Sequence, residues 1–265
     1  MVTGRPMVMI TPMDTIMSTG TAILTGTAMT DAVCLPALYR LLTFVSPAFP
    51  IGAFTYSHGL EQVIDEGGVA CAADLSAWLE DILRFGAGRG DAILLKETWR
   101  AALAGSRETV EELRDLGLAL QPSKERHLES SAQGTAFFNA VAKSWTPPGE
   151  TAAGALFRSF AEGDREPWPY PVALGLVAAA HAIPEKAAVT AFLHAFTANI
   201  ISVAVRAVPL GQSDGQGVLA GLEPVVFDVA DEAVASGLDD LGTSTFLADI
   251  ASMAHETQYS RLFRS

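Results

Sequence analysis

The sequence predicts an all-α fold, a single-domain bundle of about ten helices. Three observations carry that expectation. Alanine and leucine dominate the apolar residues and β-branched runs are few, a bias toward helix over strand. Apolar residues recur three and four apart along most of the chain, the period of a helix with one buried face. Prolines and glycine clusters mark the breaks between most of these stretches. The 265 residues, 49% of them hydrophobic, suffice for the core of one large domain.

The first helix runs from Leu35, with Leu38, Leu41, Leu42 and Val45 on its apolar face. Pro36 suits a first turn, and Ser46-Pro47 ends the helix. The stretch SPAFPIGAFTYSHGLE, Ser46 to Glu61, is an elbow. Pro47 and Pro50 forbid a helix across it, and Gly52 frees one position for a tight turn. The elbow is expected to launch a helix bearing Phe54, Tyr56, Ser57, His58 and Glu61. Leu60, Val63 and Ile64 form its apolar side. Such an elbow holds a surface in one shape, which makes Pro50, Gly52, Phe54, Tyr56, Ser57, His58 and Glu61 candidate partner-binding residues.

A third helix follows, with Leu75, Trp78, Leu79, Ile82 and Leu83 on one stripe. Gly86 to Gly90 then reads as a helix–helix turn. It lacks the Lys-Ser/Thr pair of a phosphate loop and the preceding strand of a dinucleotide loop. Helices are expected over Asp91 to Ala104 and Glu108 to Leu120, the latter with a solvated charged face. Ser123 is positioned to cap a long helix reaching about Trp145. Within it, Gly134 among Ser130, Ser131, Ala132 and Ala136 indicates close approach of another helix. A short helix spans Ala152 to Phe160. The prolines between Pro167 and Pro171 form a rigid connector, the best candidate for a subdomain boundary, though the chain still reads as one domain across it.

Tyr170 to Ala182 and Pro184 to Val208 are the most apolar helices. Pro184, Glu185 and Lys186 interrupt the run, and His194, Asn199 and Arg206 lie inside the second helix, so they read as core helices, with one exposed face as a dimer contact, rather than membrane spans. Arg206 is expected to bond the carbonyls at its own helix end. The remaining helices lie around Gly217 to Ala235, interrupted by Pro224, and over Phe246 to His255.

Net charge is −13, which argues against a nucleic-acid partner. Val208 to Ser260 contains no lysine or arginine and reads as a one-sign acidic field. The tail reverses this sign. Tyr259, Arg261, Leu262, Phe263 and Arg264 are residue types that carry interface energy, and the segment is expected to order only on binding a partner. Cys34 and Cys71 lack metal or redox spacing and read as reduced cysteines in or near a core. Six of the seven methionines lie in residues 1–30, a segment read as a disordered extension or as the product of a start upstream of Met29.

No catalytic motif stands out, and no cofactor or metal site is indicated. The one enzyme-like constellation is His58 with Glu61, spaced i and i+3, to which His255 and Glu256 could add; it leaves open a small helical metal-dependent hydrolase.

Five blocks carry a resemblance: Ser46 to Glu61; Gly134 with Phe137 and Phe138; YPVALGLVAAAH from Tyr170 to His181; AVRAVPLGQSDGQ from Ala204 to Gln216; and the ending HETQYSRLFRS. In this order the chain from about Leu35 onward resembles the UreF family of urease accessory proteins, components of nickel delivery. The resemblance implies a helical, non-catalytic, cytoplasmic homodimer over residues 31–256 with a partner-binding tail over 257–265. Its partners are then UreD (UreH), bound in part through the C-terminal segment, the GTPase UreG, and the urease apoprotein into which nickel is inserted.

Overall fold

The computed structural model describes residue 1 and residues 33–148, 150–163 and 165–264. The chain divides into residues 1–30 and a compact unit of residues 31–265, and the fold is that of the second. The expectations for residues 1–30 lie outside the described residues.

The described residues are all helix and turn, without a strand. The helices are α1 (Leu35–Phe44), α2 (Leu60–Asp65), α3 (Ala72–Phe85), α4 (Ala87–Leu103), α5 (Arg107–Ala119), α6 (Lys124–Ser144), α7 (Ala152–Gly163), α8 (Tyr170–Ala180), α9 (Glu185–Ala207), α10 (Gln212–Gly221), α11 (Glu223–Ala235) and α12 (Phe246–His255). Short 3-10 turns cover Ala53–Thr55 and Leu238–Asp240.

Helix α8 is the axis of the bundle. Every residue from Pro171 to Ala180 is buried. It packs against α4, α5, α6, α7 and α9. A helix apolar all round has no face to give to solvent, so its neighbours must enclose it. Each fully buried Val or Leu in it contributes about 1.5–3 kcal/mol relative to exposure. Helix α9 is long and apolar enough to cross a membrane by length and composition, yet 56% of that window is buried inside the protein. It lies against α11, α4, α10 and α2. The exposed apolar face expected on this pair is therefore absent from α8.

The approach to α8 explains Gly134. A Cβ there would sit 2.0 Å from the Trp168 carbonyl oxygen and 2.6 Å from the Tyr170 nitrogen. The crowding comes from the backbone entering α8 rather than from a helix flank. Trp168 itself is 2% exposed, stacks on Phe138 at 4.7 Å and meets Phe160 edge-on. The proline-rich connector is thus anchored in the core and marks no boundary between subdomains.

Several expected boundaries and faces move. Helix α1 buries Ala37, Leu41 and Phe44, while Leu35, Leu38 and Leu42 are exposed. Phe44 decides this: its ring packs edge-on against Phe49, Phe137 and Trp145, which turns that side of the helix inward. The glycine cluster is not a loop; α3 and α4 meet at Gly86, and Gly88 and Gly90 lie inside α4. Cys34 and Cys71 are both free and exposed, and the Cys71 thiol donates to Asp74 at the start of α3.

The acidic section is partly neutralised by cations from other helices. Arg84 pairs with Asp228, Arg89 with Glu232 and Lys186 with Asp231. Fully buried Lys96 donates to the Ser236 carbonyl, and Arg100 to that of Val234 at 3.1 Å. Positive groups at the C-terminal end of α11 also suit its helix dipole.

Gly134→Leu is expected to lower the free energy of unfolding by about 3 kcal/mol or more, because rigid backbone must move. Gly90→Ala, with open space around it, is expected to be neutral or stabilising by up to about 1 kcal/mol. Urea denaturation of both variants checks the contrast.

Candidate functional site

The elbow is fastened to the core at its centre. Phe49 packs against Phe44 at 5.9 Å and Phe137 at 5.2 Å. Beyond it Gly52 adopts φ +73°, and the chain makes a 3-10 turn over Ala53–Thr55. The expected helix does not begin there. Tyr56 is extended, and His58 and Gly59 both have positive φ, +58° and +78°, so α2 starts only at Leu60. The reason is steric. A Cβ at Gly59 would lie 2.7 Å from the Ser252 nitrogen, so the elbow rests directly on the backbone of α12. Left-handed backbone costs a non-glycine residue about 1–2 kcal/mol. His58 is held there by Glu129, 2.7 Å from its Nε2, and by edge-on contact with Phe196.

The C-terminal tail returns to this elbow. The Glu61 carboxylate, 4% exposed, accepts from the Leu262 nitrogen at 2.6 Å and the Phe263 nitrogen at 3.0 Å. Arg264 donates its backbone nitrogen to the Thr55 carbonyl at 2.7 Å. Arg261 reaches Glu125 at 2.7 Å. Buried His255 stands between the two carboxylates, Nε2 at 3.0 Å from Glu61 and Nδ1 at 2.7 Å from Glu125. Phe263 is 6% exposed, beneath the Arg206 guanidinium at 4.6 Å. Arg206 bonds the Ser202 carbonyl, as its place near a helix end led us to expect, and the Phe54 carbonyl besides.

The expectation of a tail without structure of its own is thereby corrected. The backbone donors of Leu262, Phe263 and Arg264 are satisfied within the chain, and its central aromatic is buried. Tyr259 and Phe263 do not share a helical face either: α12 ends at His255, and Tyr259 is fully exposed.

The sequence-predicted residues fall into two groups. Pro50, Phe54, Tyr259, Arg261, Leu262 and Arg264 are exposed. Tyr56, Ser57, Glu61 and Phe263 are buried, and Gly52 and His58 are partly so. The first group displays chemistry and the second fixes its position. His58 and Glu61 do not converge. His58 turns to α6 and Glu61 to α12 and the tail. His255 bonds its two carboxylates through opposite ring nitrogens, so the three groups do not point at one centre. Among the described residues no cluster of three or more His, Cys, Asp or Glu side chains is arranged to hold a metal ion.

Beneath the elbow lies a second polar cluster. Glu129, 2% exposed, also bonds Arg126 at 2.5 Å and the Gln133 amide at 2.9 Å. Burial pushes its carboxyl up, but Arg126 and His58 overcome this and hold it at about 2. Burial lowers His58, helped by Arg126 and opposed by Glu129. Asp91, at the start of α4, faces the same cluster. Burial raises it to about 6, with Glu129 adding to the rise and Arg126 opposing it.

Comparison with known proteins decides the family. The UreF family model matches residues 69–223. The urease accessory protein UreF of Rhodopseudomonas palustris strain BisA53 is 48% identical over 239 residues, covering 89% of this chain and 96% of that protein. The chain belongs to the UreF family of urease accessory proteins. The UreF proteins of Bradyrhizobium sp. strain BTAi1, 47% identical over 87% of this chain and 92% of the relative, and of Bradyrhizobium diazoefficiens, 45% identical over 86% and 92%, are also similar to it.

Sequence reasoning missed Asp91, Glu125, Arg126 and Glu129. A signal for three of them existed. Glu125, Arg126, Glu129, Ser130, Gln133, Gly134 and Phe137 recur at helical spacing and form one buried stripe of α6. Charged residues in line with a buried Gly and Phe are expected to be buried and paired. Asp91 carries no comparable signal, because its burial is set by α6, which is remote in sequence.

Glu61→Ala is expected to raise the amide exchange rates of Leu262 and Phe263 at least tenfold while leaving the helix content unchanged, read by hydrogen exchange and circular dichroism. The raised value of Asp91 also fixes a pH dependence. Its contribution to stability is full below about pH 4 and is lost as pH rises through about 6. Asp91→Asn is therefore expected to stabilise the protein at pH 8 by about 2 kcal/mol, a gain that vanishes below pH 4 in urea titrations at the two pH values.

Proposed function

We propose that this chain is a non-catalytic scaffold of urease maturation. In this reading it binds UreD (UreH), recruits the GTPase UreG, and supports nickel insertion into apo-urease. It does so in the cytoplasm as a homodimer, without a resident cofactor. Chemistry on the nucleotide then belongs to UreG; no phosphate-loop sequence is present in this chain.

One observation supports the reading above the others. The elbow and the tail, 200 residues apart in sequence, build one surface held by Glu61. That surface presents Phe54 at 61%, Leu262 at 74% and Tyr259 fully exposed, with the Arg261 and Arg264 side chains among them. Beside it, α12 turns Phe246, Leu247, Ile250 and Met253 outward. Aromatic and arginine side chains on a rigid base are the features of an energetic interface centre. A second outward apolar face, Leu35, Tyr39 and Leu42 of α1, is available for the homodimer contact.

The test is co-purification with the urease operon products. A chain lacking residues 259–265 is expected to keep its helix content and to retain at least tenfold less UreD (UreH). Phe54→Asp combined with Leu262→Asp is expected to do the same with the tail still attached. Retention equal to the unaltered chain in both cases overturns the reading.

A further inference from the structure

Between the elbow, α6 and α9 lies a cleft of about 210 Å³. Its walls include Ile51, Phe54, Tyr170, Phe192 and Phe196, and its floor includes Asp91, Arg126, Glu129 and Ser130. The floor is not evenly satisfied. Arg126, His58 and Gln133 all turn to Glu129. Asp91 has no hydrogen bond or ion pair to any other described residue, and it lines this cleft and a second one that backs onto α12. Ser130 is 6% exposed, lines the cleft, and its hydroxyl is buried without a partner.

An open carboxylate and an open hydroxyl at the base of an apolar slot match one chemistry. A cation on an aliphatic stem brings donors without acceptors to the base. Its methylene groups lie along the aromatic walls, and its charge is attracted to their faces. A carboxylic acid group offered the same place would meet Asp91 with like charge, and a purely apolar group would leave both oxygens unpaired.

We propose that this cleft receives an arginine or lysine side chain from a protein partner docked on the elbow, with the cation paired to Asp91. The inference rests on the scaffold reading, because the cleft shares Phe54 with the proposed interface. Burial raises the Asp91 carboxyl to about 6 while the cleft is empty, and an incoming cation beside it favours the ionised form.

The experiment has two arms. In the first, the full chain is titrated with n-butylguanidinium and with n-butylurea, its uncharged analogue, by calorimetry and amide NMR. Saturable binding of the cation is expected, at least tenfold tighter than the urea, with shifts centred on Asp91 and Ser130. Asp91→Asn is expected to weaken it at least tenfold. Equal binding of the two probes, no binding, insensitivity to the substitution, or shifts confined elsewhere each overturn the proposal. The shift map reads the unaltered chain and stands even if the variant folds poorly. In the second arm, Asp91→Asn is expected to cut partner capture at least tenfold while Leu262 and Phe263 keep their exchange protection. Unchanged capture overturns this proposal alone and points to a free amine as the ligand. An unaltered chain that captures no partner overturns the scaffold reading, and this proposal with it.

Discussion

A buried carboxylate has to be surrounded by donors, and the place where Glu61 sits determines much of what surrounds it. Leaving such a charge uncompensated costs several kcal/mol, so the groups that satisfy it are held in turn. Two of them are backbone amides of the tail, at 2.6 and 3.0 Å, and one is the ring of His255 on α12. The opposite side of that ring meets Glu125 on α6, which also holds Arg261 of the tail. One anion thus joins α2, α12, α6 and the chain terminus. The sharp turn at His58 and Gly59 sets the chain directly against the α12 backbone just before Glu61.

The rest of the bundle gives that arrangement a fixed floor. Helix α8 is enclosed by its neighbours, and the rings of Phe44, Phe49 and Phe137 carry its rigidity outward to the elbow. Glu129 and Arg126 are buried close beneath the surface because α6 presents them along the stripe that holds Phe137. The polar cluster is more costly to the fold than an apolar one of the same volume. Asp91 states this most directly, since burial, with Glu129 beside it, makes its ionised form costlier in the fold than in water and raises the carboxyl to about 6. Groups that weaken a fold and face a cleft are common at binding sites.

Much of this was legible in the sequence where local chemistry decides. Helical periodicity gave the bundle. Pro47, Pro50 and Gly52 marked the elbow, and Ser123 was read as the cap it is, accepting from the Arg126 nitrogen at 3.1 Å. The reading failed where a distant contact outweighs local pattern. Leu35, Leu38 and Leu42 form as good an apolar stripe as the one α1 uses, and only the aromatic cluster around Phe44 selects between them. The acidic run from Val208 onward has no internal cation, but its partners Arg84, Arg89 and Lys186 come from α3, α4 and α9. The tail looked unstructured because nothing near it in sequence satisfies its amides; the acceptor lies about 200 residues earlier. Of the candidate site, the display residues and Glu61 and His58 beneath them were named from the sequence, and Asp91, Glu125, Arg126 and Glu129 were not.

The tail is anchored chiefly through main-chain nitrogens, those of Leu262, Phe263 and Arg264, and a single buried ring. Peptide groups are the same whatever side chain they bear. Substitutions at 259, 262 and 264 can therefore retune what the terminus recognises without unmooring it. Evolution is left with a short alphabet it can rewrite at one end of the molecule while the handle that grips it stays constant.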